Sequence, residues 1–181
     1  MIGLPKENED SAVQTARKIA NLSPDGVRIY PTVVVRDTAL EDLWKSGKYT
    51  PLTVEKAVDI CASIAQIFEN ANIPIIRMGL NPTEDLSGGD ALAGAYHPAF
   101  GQLVAARRRL ERLRDMFNGV TAKEISVYAN PKAISEVAGH KGENKKILRE
   151  EFDLKRISIF PDEELSYNEM RICENKQNKD V

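Results

Sequence analysis

The spacing of apolar residues along the chain changes from segment to segment, and each change predicts an element. In SAVQTARKIANL, Val13, Ala16, Ile19 and Ala20 recur on one helical face. SPDG breaks that helix, and VRIYPTVVV reads as a single buried β-branched strand. Before the helix stands MIGLP, a scrap of strand closed by a Gly-Leu-Pro turn. Strand end, helix and strand make up most of a βαβ unit, the signature of a parallel sheet.

The pattern then repeats with variations. Thr38 and Glu41 in TALE have capping-box spacing, and the short helix behind them carries Leu40, Leu43 and Trp44 as far as Gly47. Thr53 is placed to cap VEKAVDICASIAQIFENA, whose Val54, Ala57, Val58, Cys61, Ile64, Ala65 and Phe68 form one stripe. IPIIRMGL is another buried strand. NPTEDLSGGDALAGAY is rich in turn formers and long for a routine connection, which points to a functional loop or a linker. PAFGQLVAARRRLERLRDMF predicts a long helix with Pro98 near its start and Arg107, Arg108, Arg109, Arg112 and Arg114 late in it. Those arginines complement the helix dipole or serve as a solvated or structural face; the alternative is an RNA-facing patch.

The last third changes character. KEISVYA alternates as a strand, NPKAISEVAG is a short helix ending at Gly139, ENKKILREEF is a second helix, and KRISIFPD is a second strand. The closing NEMRICENKQNKDV is polar, and its composition predicts a frayed tail.

Composition narrows the class. At 181 residues, with 42% apolar and 29% charged residues, the chain fits one globular domain or a domain with an appendage. A net charge of -2 gives no global signal for nucleic acid or membrane. The start lacks a basic n-region and a long apolar h-region, and no apolar run reaches transmembrane length. The two cysteines, Cys61 and Cys173, lie far apart, without metal-ligand spacing, and read as reduced thiols of a cytoplasmic protein.

Three features carry candidate chemistry. In GHKG, Gly139 and Gly142 flank His140 and Lys141, and Lys145 and Lys146 follow at the start of the next helix. Two glycines let the backbone come close to a ligand, and free helix N–H groups can face a phosphate. Set between strand-helix and helix-strand, this loop resembles the core of a KH domain, which clamps a nucleic-acid backbone. The competing reading is a glycine helix cap followed by a solvated basic helix start, and Glu136, Glu143, Glu150 and Glu151 oppose tight anion binding. Arg77 in IIRMGL is a charge within an apolar strand, either a contact to substrate or cofactor or half of a structural ion pair. His97, just before Pro98, either faces a ligand or packs at the helix entry; His140 reads as exposed and polar.

The stretch RIYPTVVVRDTALEDLWKSGKYTPLT, continued by IPIIRMGLNPTEDL and AGAYHPAFGQLV, resembles the C-terminal half of a radical-SAM barrel. It is most similar to the group that includes the catalytic subunit of Elongator and its shorter bacterial relatives, over roughly residues 1 to 117. The resemblance implies an adenosylmethionine pocket at the carboxyl ends of parallel strands. By position, the backbone of Met1, Ile2 and Gly3 would approach the adenine, Val27 to Tyr30 would form the neighbouring strand end, and Arg77 would join the cofactor-binding set. Lys6 stands where relatives usually have glycine. The family's CxxxCxxC loop, which holds a 4Fe–4S cluster, does not occur in these residues.

The sequence therefore predicts an α/β chain: the C-terminal portion of a radical-SAM, partial TIM-like barrel followed by a small α+β KH-like module. Its expected divisions are the C-terminal half of the barrel over 1–80, a linker and long basic helix over 81–118, the KH-like module over 119–165 and a disordered tail over 166–181. The expected function is that of a C-terminal segment of a radical-SAM enzyme, inactive by itself, with no metal ligands of its own. Adenosylmethionine and the cluster would belong to the full-length protein, whose N-terminal half is the expected partner, and RNA or tRNA the expected substrate. A non-catalytic RNA-binding module and a fragment of an unrelated α/β-barrel enzyme are the alternatives.

Overall fold

The computed structural model describes residues 1–81 and 89–175. The middle of the turn-rich stretch (82–88) and the end of the tail (176–181) lie outside them. The described chain is a mixed α/β structure with three small sheets, two of two strands and one of three. It divides into two compact units, Met1–Val104 and Ala105–Val181.

In the first unit the opening scrap is strand-like, as expected: Ile2 makes a parallel bridge to Pro31. Helix α1 (Glu9–Ala20) begins at a reciprocal capping box, in which Ser11 N–H donates to the Asn8 side chain at 2.8 Å and Asn8 N–H to Ser11 Oγ at 3.0 Å. Ala16 and Ala20 of the predicted stripe face the core beside Ala12, whereas Ile19 is exposed. Strand β1 (Val27–Ile29) pairs in parallel with β3 (Ile75–Met78), the arrangement read from the βαβ pattern.

VRIYPTVVV is not one strand. It breaks at Tyr30-Pro31, and β2 (Val33–Val35) pairs antiparallel with β4 (Ala91–Gly94), which rises from the stretch read as irregular. Proline has no N–H for a central ladder, so the chain changes sheets there. Two helices follow β2: α2 (Ala39–Lys45), capped by Thr38, and α3 (Val54–Asn70), capped by Thr53. Glu41, however, accepts from the N–H of Asp37 at 2.7 Å, one residue before the cap, so the box is reciprocal in spacing but not in bonding. Helix α3 buries Ala57, Val58, Cys61, Ile64 and Phe68 in one cluster with Ile29, Ala12 and Ala16, and this is the core of the unit.

The boundary between the units falls within helix α4 (Phe100–Phe117). The second unit centres on strand β5 (Glu124–Ala129), flanked by β6 (Arg156–Pro161) in parallel and β7 (Met170–Glu174) antiparallel. A 3-10 turn (Pro131–Ala133), α5 (Ile134–Ala138) and α6 (Glu143–Glu151) join β5 to β6. Leu110, Leu113, Phe117, Val127, Val137 and Leu148 form its core.

Strand β7 corrects the expectation of a disordered tail from residue 166. The sheet edge of β5 is completed by this segment, and Met170 and Ile172 pack on the core at strand spacing. Arg171 on the other face stacks over Tyr128 at 4.6 Å and pairs with Asp162 at 2.8 Å.

Candidate functional site

Of the residues expected to border adenosylmethionine, Ile2 and Tyr30 meet directly. Ile2 N–H donates to the Tyr30 carbonyl at 3.0 Å, and the Ile2 carbonyl accepts from both Thr32 N–H (2.9 Å) and Thr32 Oγ1 (2.7 Å). Gly3 has φ +77, a conformation that favours glycine, and a Cβ there would press on the Leu52 side chain at 2.9 Å. Its N–H donates to Glu7 Oε2 at 2.6 Å and its carbonyl accepts from the Tyr49 hydroxyl at 2.6 Å. The backbone of Ile2 and Gly3 is thus engaged within the unit, and Met1 is exposed.

Met1, Ile2, Val27 and Arg28 also border a largely apolar cavity of ≈140 Å³, together with Ala16, Ile64 and Phe68. Small-molecule sites usually span about 300–1,000 Å³. The described residues around Ile2 therefore do not enclose adenosylmethionine unaided. Nor does the donor set fit a cluster: no group of three His, Cys, Asp or Glu is placed for a metal among the described residues. Cys61 is buried in α3, where burial pushes its thiol up to about 12, and Cys173 lies in the other unit.

Arg77 is half-buried, and its Nε is hidden from water without an acceptor. A register shift between Val27 and Arg28 leaves Ile76 unpaired and sets Arg77 opposite Arg28 across the parallel pair. Val27, Ile29 and Met78 pack on the core that holds α1 and α3, and Arg28 and Arg77 alternate with them beyond the register shift, although Arg28 also borders the cavity beside Ile2. Neither arginine forms an ion pair or hydrogen bond with another described residue. The ion-pair alternative for Arg77 therefore does not hold among the described residues. Arg28 was not singled out from the sequence; a second arginine in a β-branched strand was the available signal.

The GHKG loop is held from within. Gly139 adopts φ 78, ψ 166, and a Cβ there would fall 2.7 Å from the Asn144 amide nitrogen. The buried Asn144 side chain donates to the carbonyls of Ala106 (2.9 Å), Glu136 (3.1 Å) and Val137 (3.2 Å), which ties α6 to the end of α5. Lys141 is exposed at φ 51, and Gly142 begins α6 without a side-chain cap. Lys146 is exposed and Lys145 half-buried on the first turns of that helix.

The basic part of α4 is largely structural. Arg109, 4% exposed, pairs with Glu136 at 3.3 Å and donates to the carbonyls of Tyr167 (2.7 Å) and Asn168 (3.1 Å). Arg112 donates to the Asn168 carbonyl at 2.9 Å, and Arg114 pairs with Glu111 at 2.6 Å and Glu151 at 2.5 Å. His97 Nδ1 accepts from Ala99 N–H at 3.1 Å, which is a helix-entry role.

Comparison with known proteins bears on the first unit. Residues 24–112 match the family model described as Radical_SAM C-terminal domain. That segment is a radical-SAM C-terminal domain. Elongator complex protein 3 of Drosophila melanogaster is 48% identical over 101 residues, 56% of this chain and 16% of that protein. The tRNA uridine(34) acetyltransferase of Dehalococcoides mccartyi (strain CBDB1) is 41% identical over 54 residues, 28% of this chain and 12% of that protein. Elongator complex protein 3 of Homo sapiens is 46% identical over 41 residues, 23% of this chain and 8% of that protein. The chain thus matches a small fraction of the length of these relatives. The radical-SAM segment holds β1, β2, β3 and β4, and with them both sheet arginines. No helix among the described residues is long and apolar enough to cross a membrane.

Proposed function

We propose that this chain is the C-terminal portion of a radical-SAM enzyme acting on RNA, a tRNA being the favoured substrate. The observation that carries the reading is the radical-SAM C-terminal domain over residues 24–112. A named relative whose substrate is a tRNA uridine supports the choice of RNA. In this reading β1 and β3 are strands of a partial TIM-like barrel, with α1 and α3 outside and the arginine face inside. The strand end from Val27 to Tyr30, with Ile2 and Gly3 beside it, contributes one wall of the cofactor pocket. The cluster's cysteines come from outside these 181 residues. When bound, adenosylmethionine and a 4Fe–4S cluster would supply a deoxyadenosyl radical; the residues present here position and exclude, and they hold no cluster ligand.

The second unit supports a binding role in the same reading. A β-α-GxxG-α-β order with an uncapped start of α6 and an exposed Lys141 fits a KH-like module contacting phosphates, with Gly139, His140, Lys141, Gly142, Lys145 and Lys146 as the contact set. A non-catalytic RNA-binding protein would use the same loop. Anisotropy titration of a fluorescent tRNA tests the binding common to both. Salt-dependent binding, weakened several-fold by Lys141→Asp with Lys145→Asp, supports the RNA reading. Absence of binding at low salt refutes it. Reconstitution with a cluster-bearing partner chain, followed by detection of 5′-deoxyadenosine from adenosylmethionine, separates the enzyme from the binding module.

A further inference from the structure

We propose that Arg28 and Arg77, paired across β1 and β3, form a seat for an anionic oxygen group, a phosphate or a carboxylate. Like charges set opposite one another across neighbouring strands destabilise a sheet. Hiding a guanidinium N–H from water without an acceptor adds a further cost. Both occur at one place, on adjacent strands, and no described carboxylate answers them. The pairing comes from the register shift that leaves Ile76 out of the ladder; without it Arg28 would face Ile76. The displaced Ile76 side chain lies over Gly26, where a Cβ would stand 2.7 Å from it.

The geometry also selects the ligand chemistry. A guanidinium binds carboxylate and phosphate through two parallel N–H donors, and one of its two usable edges is formed by Nε with a terminal nitrogen. The unanswered donor of Arg77 is that Nε. A small turn of the side chain brings this edge to an anion that Arg28, which is exposed, contacts from the neighbouring strand. Such an anion relieves the charge opposition and the unmet donor together. A cation or a neutral apolar ligand would relieve neither.

The inference does not depend on the RNA reading, because its probe is inorganic. Thermal unfolding is followed through Trp44, the chain's single tryptophan, which lies in the same unit as both arginines. Sodium pyrophosphate serves as the phosphate probe and sodium citrate as the carboxylate probe, each against sodium chloride of equal ionic strength. An anion about 100-fold above its Kd should raise Tm by about 5–10 °C. The rise should vanish in Arg77→Met and in Arg28→Gln and persist in Lys141→Asp, which lies in the other unit. A rise with pyrophosphate but not citrate assigns phosphate, and the reverse assigns carboxylate. No rise with either probe, or an equal rise in Arg77→Met, overturns the proposal while leaving tRNA binding by the GHKG loop unaffected.

Discussion

Replacing Arg77 with methionine should stabilise the ligand-free protein, although it removes a half-buried side chain from a strand. The substitution keeps an unbranched stem against the sheet and deletes the hidden, unanswered Nε–H. An unsatisfied buried donor costs about 1–3 kcal/mol. A like charge opposite on the neighbouring strand adds about 0.2–1 kcal/mol. Against these stands the lost packing of the distal guanidinium, for which about 1 kcal/mol is a fair allowance. The net expectation is a gain of about 1–2 kcal/mol. With a urea m-value of about 2 kcal/mol/M, the Trp44 transition should move up by about 0.5–1 M. Arg28→Met removes only the charge opposition from an exposed position and should gain less. In the double variant the two gains should fall short of additive, because they share the repulsion term. A transition shifted to lower urea in Arg77→Met at unchanged m would refute the reasoning, since it would mean that the guanidinium contributes favourably to the unliganded fold.

Four further outcomes follow from other parts of the structure. Gly139→Ala should cost about 3 kcal/mol or more by urea unfolding, because φ 78, ψ 166 is nearly exclusive to glycine and a Cβ meets Asn144 at 2.7 Å; Gly142→Asn, in open space at φ 78, ψ 18, should cost less than about 1 kcal/mol. The Lys45 ammonium at 2.7 Å and the Asp37 N–H hold the Glu41 carboxyl below its ordinary 4.5, so its contribution is complete above that value and lost as pH falls through the depressed one; Glu41→Gln should flatten the acid limb of a Tm-against-pH curve, and an unchanged limb would count against the pairing. Cys61, whose thiol burial pushes up to about 12, should resist iodoacetamide in the native protein while half-exposed Cys173 reacts, as peptide mass mapping would show; faster labelling of Cys61 contradicts the burial. Tyr49→Phe should destabilise by about 1 kcal/mol and speed exchange of the Ile2 amide, and unchanged exchange would show that the hydroxyl does not anchor the N-terminal strand.

Local signals made the helices legible. The α3 stripe from Ala57 to Phe68 is long and strictly periodic, and Thr38 and Thr53 mark their helix starts by side-chain chemistry that acts over three residues. Parallel pairing of β1 with β3 followed from the intervening helices. What escaped depended on distant partners. β4 is Ala-Leu-Ala-Gly, with little intrinsic strand preference, and is a strand because β2 turns away at Pro31 and offers it a ladder. β7 sits in polar sequence, and its alternation of Met170 and Ile172 gains meaning only beside β5. The arginine pair was half legible: a charge in an apolar strand marked Arg77, while its opposition to Arg28 comes from a one-residue register shift, which inverts facing at period two.

Hydrogen-bond accounting separates two places that the sequence had merged into one cofactor site. Around Ile2 and Gly3 the N–H and carbonyl groups already have partners in Tyr30, Thr32, Glu7 and Tyr49. A ligand there would have to displace one of these bonds or accept only apolar contact and the spare lone pairs of carbonyls. At the Arg28–Arg77 pair, donors are in excess and no acceptor answers them among the described residues. Buried polar groups in folded proteins are almost always satisfied, so an exception indicates a strained site or a site whose partner is a ligand. The Ile2–Gly3 segment is therefore better suited to fixing the position of the strand ends, and the arginine pair to taking hold of what binds there. The cavity beside Ile2 is small because α1, α3 and β1 close on it, and it reaches the arginine pair only where Arg28 borders it.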